Sequence, residues 1–219
     1  METVLGIFCK HPIPGQVKTR LAKDIGDEAA ARLYEAFLTD LVDRMRTVGD
    51  ERILCYAPAE GDSQAYFAVL AGSDYGVMPQ VDGDVGDRLA AFFDMVLDDC
   101  PRKVIVVGSD SPTISTAIVN RAADELDRRD AVLGSTDDGG YYLIGLRRTA
   151  RHLFDGIDWS TSAVYDQQHQ RLDDVGFTTT PFVPVPEVDT LDDLNRLLVH
   201  PLLDGCRHTL RVLDELHLT

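Results

Sequence analysis

Lys10, Lys18, Arg20 and Lys23 crowd into one stretch, CKHPIPGQVKTRLAK, which holds three of the chain's four lysines. A compact ammonium and a planar guanidinium after the Pro12/Pro14/Gly15 loop suit phosphate oxygens, so Lys18 and Arg20 read as an anion site, and Lys23 as a solvated surface charge. Val17 precedes Lys18 and no GxGxxG opens this turn, which disfavours a Walker-type loop and a dinucleotide fingerprint. A second cluster is Gly108-Ser109-Asp110-Ser111-Pro112, where Asp110 would leave a strand end as a hard-metal ligand or hydrogen-bond acceptor, with Thr113 and Ser115 free to cap the next helix. A third is Glu187-Val188-Asp189-Thr190-Leu191-Asp192-Asp193: Asp189 or Thr190 can cap a helix, and Asp192 and Asp193 suit its dipole. Two stretches carry double readings. Asp137-Asp138-Gly139-Gly140 before Tyr141 is a tight turn or a place of close substrate approach, and Arg88 in QVDGDVGDRL is a structural anchor or a second anion contact. The histidines form no HxxxH pair and no serine sits in a GxSxG elbow, which weakens hydrolase readings.

These clusters need a scaffold that brings loops together, and the pattern supplies one. Short apolar runs at Val4 to Cys9, Arg52 to Ala57, Gly76 to Gln80, Lys103 to Gly108, Ala131 to Ser135, Tyr141 to Leu146 and Thr179 to Val185 predict strands. Amphipathic stretches from Asp27, Asp62 to Ala71, Asp87 to Leu97, Ser115 to Arg129, Ser160 to Leu172, Leu191 to Val199 and Thr209 to Leu216 predict helices. KVIVVG is apolar throughout, so it belongs at the sheet centre. Alternation with short connections predicts one doubly wound α/β domain over residues 1–219 with a mostly parallel sheet, whose ligands gather at the strands' carboxyl ends.

Composition narrows the partners. Among 219 residues, 37 acids against 21 Lys and Arg give a formal charge of −16, which repels a phosphate polyanion and argues against nucleic acid. The acids are 29 Asp and 8 Glu, and the bases 17 Arg and 4 Lys, a bias expected of a surface adapted to high salt. No apolar run is long enough to span a membrane and no export signal is visible, so a cytoplasmic protein is expected. Cys9, Cys55, Cys100 and Cys206 are far apart without a CxxC pair, as expected of four reduced thiols.

Taken in order, K-x-P-x-P-G-x-V-K-T-R-L-A, Q-x-D-G-D-V-G-D-R-L, G-S-D-S-P-T, D-G-G-Y-Y-L-I-G-L, I-D-W-S-T-S-x-V and V-D-T-L-D-D-L run from residue 10 to residue 194. Together they resemble the poorly characterised bacterial and archaeal glycosyltransferase-A-like transferases of the nucleotide-diphospho-sugar transferase superfamily. The resemblance implies a Rossmann-like α/β/α sandwich that binds a nucleotide with Mg²⁺ or Mn²⁺. It implies Asp110 and Asp189 as metal ligands, Lys18 and Arg20 on phosphates, and Glu187 where relatives often carry Asp. With Asp110, Lys18 and Arg20 make the expected catalytic set. Lys10, Gly15 and Arg88 complete the nucleotide side, and Asp138, Gly139, Gly140 and Tyr141 the acceptor side. The expected partners are a nucleotide sugar or a nucleoside triphosphate and a small-molecule acceptor. Sugar transfer is the first reading, nucleotidyl transfer to a phosphorylated small molecule the second, and a non-catalytic nucleotide-binding module the third.

Overall fold

The structure is a computed structural model that describes residues 1–98, 101–150 and 152–218. Its strands are β1 (Glu2–Lys10), β2 (Glu51–Ala57), β3 (Gly76–Pro79), β4 (Arg102–Gly108), β5 (Ala131–Ser135), β6 (Tyr141–Leu146) and β7 (Thr179–Phe182). Its helices are α1 (Ala22–Ile25), α2 (Asp27–Met45), α3 (Ser63–Ala71), α4 (Val85–Leu97), α5 (Thr116–Glu125), α6 (Val164–Asp174), α7 (Leu191–Leu198) and α8 (Arg207–Glu215), with a 3₁₀ turn at Leu203–Gly205 before the last. The sheet runs β3-β2-β1-β4-β6-β5-β7, so the KVIVVG strand takes the middle as its composition predicts. β1 pairs in parallel with β2 and β4, aligning Val4 with Glu51 and Val104. Strand β6 alone runs against its neighbours, because the Asp137–Gly140 turn folds it back on β5.

The alternation of a pleated strand sorts each side chain to one of two faces. From β1 and β4, Leu5, Ile7, Ile105 and Val107 point to a layer with Leu38, Leu41 and Met45 of α2, Phe67 of α3 and Val119 of α5. Val4, Val104 and Val106 point the other way, onto Leu89, Phe92 and Phe93 of α4 and Leu172 of α6. Burying each such side chain contributes about 1.5–3 kcal/mol, so both faces hold the sheet edge that carries the loops. A third cluster joins Leu33 and Phe37 of α2 to Leu194 of α7 and Leu213 of α8. Arg44, in the last turn of α2, fastens this layer: its guanidinium donates to the carbonyls of Pro112, Ile114 (3.3 Å) and Gly205 (3.5 Å) and lies 3.1 Å from Cys206 Sγ.

Two expectations are corrected. Residues 160–163 precede helix α6 instead of opening it, because Ser160 has φ +65° and Thr161 Oγ1 donates to the Asp158 carbonyl at 2.7 Å. Helix α5 ends at Glu125, short of Arg129. Cys9, Cys55 and Cys206 are free, in line with reduced thiols, and are buried, and Cys100 lies outside the described residues. Among the described residues no helix is long and apolar enough to cross a membrane.

Candidate functional site

A cavity of about 810 Å³ opens over the carboxyl ends of β1 and β4, where a parallel sheet places its ligands. The segment after β1 enters it with Lys10, Val17, Lys18 and Arg20. Lys18 adopts φ +47° and its side chain is only 2% exposed. Its ammonium bonds to Asp110 Oδ1 and lies 2.8 Å from Asp189 Oδ1, with the Tyr34 ring centroid 5.7 Å away. Burial favours loss of the Lys18 proton, but the carboxylates of Asp110 and Asp189 outweigh it and raise the pKa, so this lysine stays charged. Tyr34, on α2, accepts from the Lys10 backbone N–H at 2.9 Å and shares a 2.7 Å hydrogen bond with Ser109, which joins the loops after β1 and β4; burial pushes its phenol well up.

Asp110 comes directly after β4, and Ser115 caps α5 by accepting from the Ile118 N–H at 3.3 Å, which leaves the aspartate to the cavity. The Asp110 carbonyl accepts from Val188 N–H at 3.1 Å and so sets the acidic 187–189 segment beside it. Thr190 and Asp193 cap α7 reciprocally, which spares Asp189 from that duty. Asp138 is oriented by Thr136 Oγ1 at 2.6 Å and the Gly140 N–H at 3.2 Å, both donating to its Oδ1.

The carboxylates of Asp138, Glu187 and Asp189 each place one oxygen within 4.8 Å of the others. Such a hard oxygen set suits Mg²⁺ or Mn²⁺. Burial opposes ionisation of Asp189, yet Lys18 beside it holds its pKa below the usual range. Burial, and then the charge of Asp110, push Glu187 up to about 8.

The sequence-predicted residues divide on this map. Lys10, Lys18, Arg20, Arg88, Asp110, Asp138, Gly140, Tyr141 and Asp189 line the cavity, whereas Gly15 and Gly139 are not among its lining residues. Gly15 supplies a turn with φ +78°. Gly139, φ +90°, acts through its backbone: a Cβ there would meet the Ser162 carbonyl oxygen at 2.2 Å, and its own carbonyl accepts from the Tyr165 N–H at 2.8 Å. The expected ligand pair, Asp110 and Asp189, is joined through Lys18, and the three-carboxylate set gains Glu187 and Asp138 in place of Asp110. Arg88 is an anchor that also faces the cavity, donating to Gly83 O and Gln80 Oε1 at 3.2 Å each. Sequence reasoning missed Tyr34, hidden in the apolar face of a helix, and Trp159 to Ser162, whose only signal was the I-D-W-S-T-S motif.

Among known proteins, the family profile described as "Uncharacterized protein conserved in bacteria (DUF2064)" matches residues 39–161. No curated protein matches the chain. A crystal structure from Desulfovibrio desulfuricans G20, provisionally named a nucleotide-diphospho-sugar transferase, superposes with a TM-score of 0.86 at 28% identity over 99% of both chains. A cytidylyltransferase from Leptospira borgpetersenii serovar Hardjo-bovis (TM-score 0.54, 12% identity, 98% of this chain and 94% of that one) shares the fold. So does CMP:2-keto-3-deoxy-manno-octonic acid synthetase complexed with CTP (TM-score 0.53, 14% identity, 90% and 97%).

Proposed function

The chain belongs to the DUF2064 family of uncharacterised bacterial proteins, and on that footing we propose that it is a metal-dependent transferase acting on a nucleotide-activated donor, with sugar transfer as its reaction. One observation carries the reading: Lys10, Lys18 and Arg20 line one cavity together with four carboxylates, those of Asp110, Asp138, Glu187 and Asp189, at the carboxyl ends of β1 and β4. Cations and oxygen ligands around one cavity are what a nucleoside diphosphate with a divalent ion requires. The likeness to the D. desulfuricans protein over nearly all of both chains supports the donor class.

Asp138, Glu187 and Asp189 would hold the ion, and Asp110 stands beside them across Lys18. A divalent ion held there would supply positive charge to offset the donor's phosphates. Arg20 is 62% exposed and lies 3.9 Å from Asp189 Oδ2, near enough to turn its fork to a phosphate. Lys18 keeps Asp110 and Asp189 together and would bring its positive charge to the donor's phosphates from beneath the cavity floor they share. In sugar transfer an acceptor hydroxyl oxygen bonds to the donor's anomeric carbon. The bond from that carbon to the nucleoside diphosphate breaks with its electron pair, and the hydroxyl proton passes to solvent.

The test is product analysis across nucleotide sugars and nucleoside triphosphates with Mg²⁺ or Mn²⁺. Release of nucleoside diphosphate, lost in Asp189→Asn and in chelator, is the expected result. Pyrophosphate release would move the assignment to nucleotidyl transfer, and nucleotide binding without either product to a binding module.

A further inference from the structure

Lysine and arginine line only part of the main cavity. Lys10, Lys18 and Arg20 rise from the segment after β1, and the guanidinium of Arg88 is directed to Gln80 and Gly83 at the β3 side. Another wall, built by the β5–β6 turn and the loop before α6, presents Asp138, Tyr141, Trp159, Ser160, Thr161 and Ser162. Among the described lining residues those two segments contribute no lysine or arginine, and the nearest in sequence to the indole's seat on α4 is Arg88, held by Gln80 and Gly83.

Its surface has a definite character. The rings of Trp159 and Tyr141 meet edge to face, 6.3 Å apart at 70°. The indole is seated against α4, where a Cβ on Gly86 would come within 3.0 Å of it. Thr161 Oγ1 donates to the Asp158 carbonyl, whereas the exposed Ser160 and Ser162 hydroxyls make no hydrogen bond among the described residues.

Resting on the transferase reading above, we infer that this wall receives the acceptor, and that the acceptor is a neutral hydroxyl-bearing ring, such as an unphosphorylated sugar or cyclic polyol. A phosphate needs cations or clustered N–H donors, and beside Trp159 and Ser160 to Ser162 it would face the carboxylate of Asp138, while Lys18 and Arg20 are engaged with Asp110 and Asp189. Aromatic carbon flanked by free hydroxyls instead matches a ring with an apolar C–H face and a hydroxylated rim. Lys10 and the exposed Arg20, which line the cavity outside these segments, are left to the donor's phosphates.

Trp159 is the chain's single tryptophan, so its emission reports on this wall. The probes are D-glucose against glucose 6-phosphate, and myo-inositol against inositol 1-phosphate, titrated at matched ionic strength. The neutral member of at least one pair should change the emission saturably, with its phosphate needing at least about tenfold more, a difference of about 1.4 kcal/mol. Ser162→Arg, a change at an exposed side chain, should narrow or reverse that order. Equal or tighter binding of the phosphates by the parent, or no response to any probe, overturns the inference. A separate thermal-shift panel of nucleotides with Mn²⁺ keeps the two readings apart. Absence of any nucleotide shift counts against the transferase, whereas nucleotide binding with a preference for phosphorylated probes counts only against the acceptor class.

Discussion

Replacing Lys18 by methionine removes one charge and keeps most of the volume, and because both residues sit at the same φ of +47° the backbone strain cancels. The ammonium lies 2.8 Å from Asp189 Oδ1, a separation worth roughly 6 kcal/mol at an effective dielectric near 20. Desolvating a side chain that is 2% exposed takes much of that back, while Asp110 and Asp189, at 44% and 35%, keep part of their water. The net loss should be about 2 kcal/mol, or roughly 4–8 °C in melting temperature for a chain of this size. The assay is thermal unfolding with chelator and again with millimolar Mn²⁺. In chelator the variant should melt below the parent. Mn²⁺ should raise the variant more than the parent, because a divalent ion replaces the missing charge and no longer competes with the ammonium for Asp189. Equal melting in chelator, or equal gains with Mn²⁺, would refute the claim that Lys18 holds the carboxylates together.

Arg20→Ala should weaken nucleotide binding about tenfold, about 1.4 kcal/mol, since a half-exposed contact is partly screened. Lys23→Ala, on an exposed residue, should match the parent in the same titration. Burial works against ionisation of Asp130, but Thr178, Arg148 and Arg147 hold its pKa well below the usual carboxylate range. Its stabilisation is therefore present above about pH 4 and lost as pH falls toward the folded value, so Asp130→Asn should lower stability at pH 7 by about 2 kcal/mol and flatten the acid limb of a melting-temperature profile. If the Asp-rich surface is adapted to salt, molar KCl should raise the melting temperature; a flat or falling curve would make it an ordinary acidic surface.

The scaffold was legible where one local force dominates. KVIVVG can satisfy itself only as a strand buried on both faces, and it stands in the middle of the sheet. Residues 160–163 differ from the expected helix because Ser160 is left-handed and Thr161 bonds back to Asp158, while the close approach of Gly139 to Ser162, which comes from elsewhere in the fold, leaves no periodicity to read. The site residues stood out by type, yet their pairing did not. Lys18 meets Asp110 across 92 residues and Asp189 across 171, separations with no periodicity to read. Glu187 looked like a departure from an acidic motif, and only its position near Gly108, where a Cβ would lie 3.8 Å from its Oε1, brings it to the carboxylates.

Arg44 gives the molecule an unexpected vulnerability. One guanidinium clasps both the loop just beyond Asp110 and the turn that leads into the final helix. The posture of the cavity's rim is thereby made mechanically dependent on the tail of the chain. Substitutions around Leu203 or Cys206, or a bulky fusion that pulls on α8, should disturb the ligand site without touching it. A screen for lost activity would thus return a cluster of hits in the last turns that maps to no ligand contact, and its common thread would be the slackened grip of a single arginine.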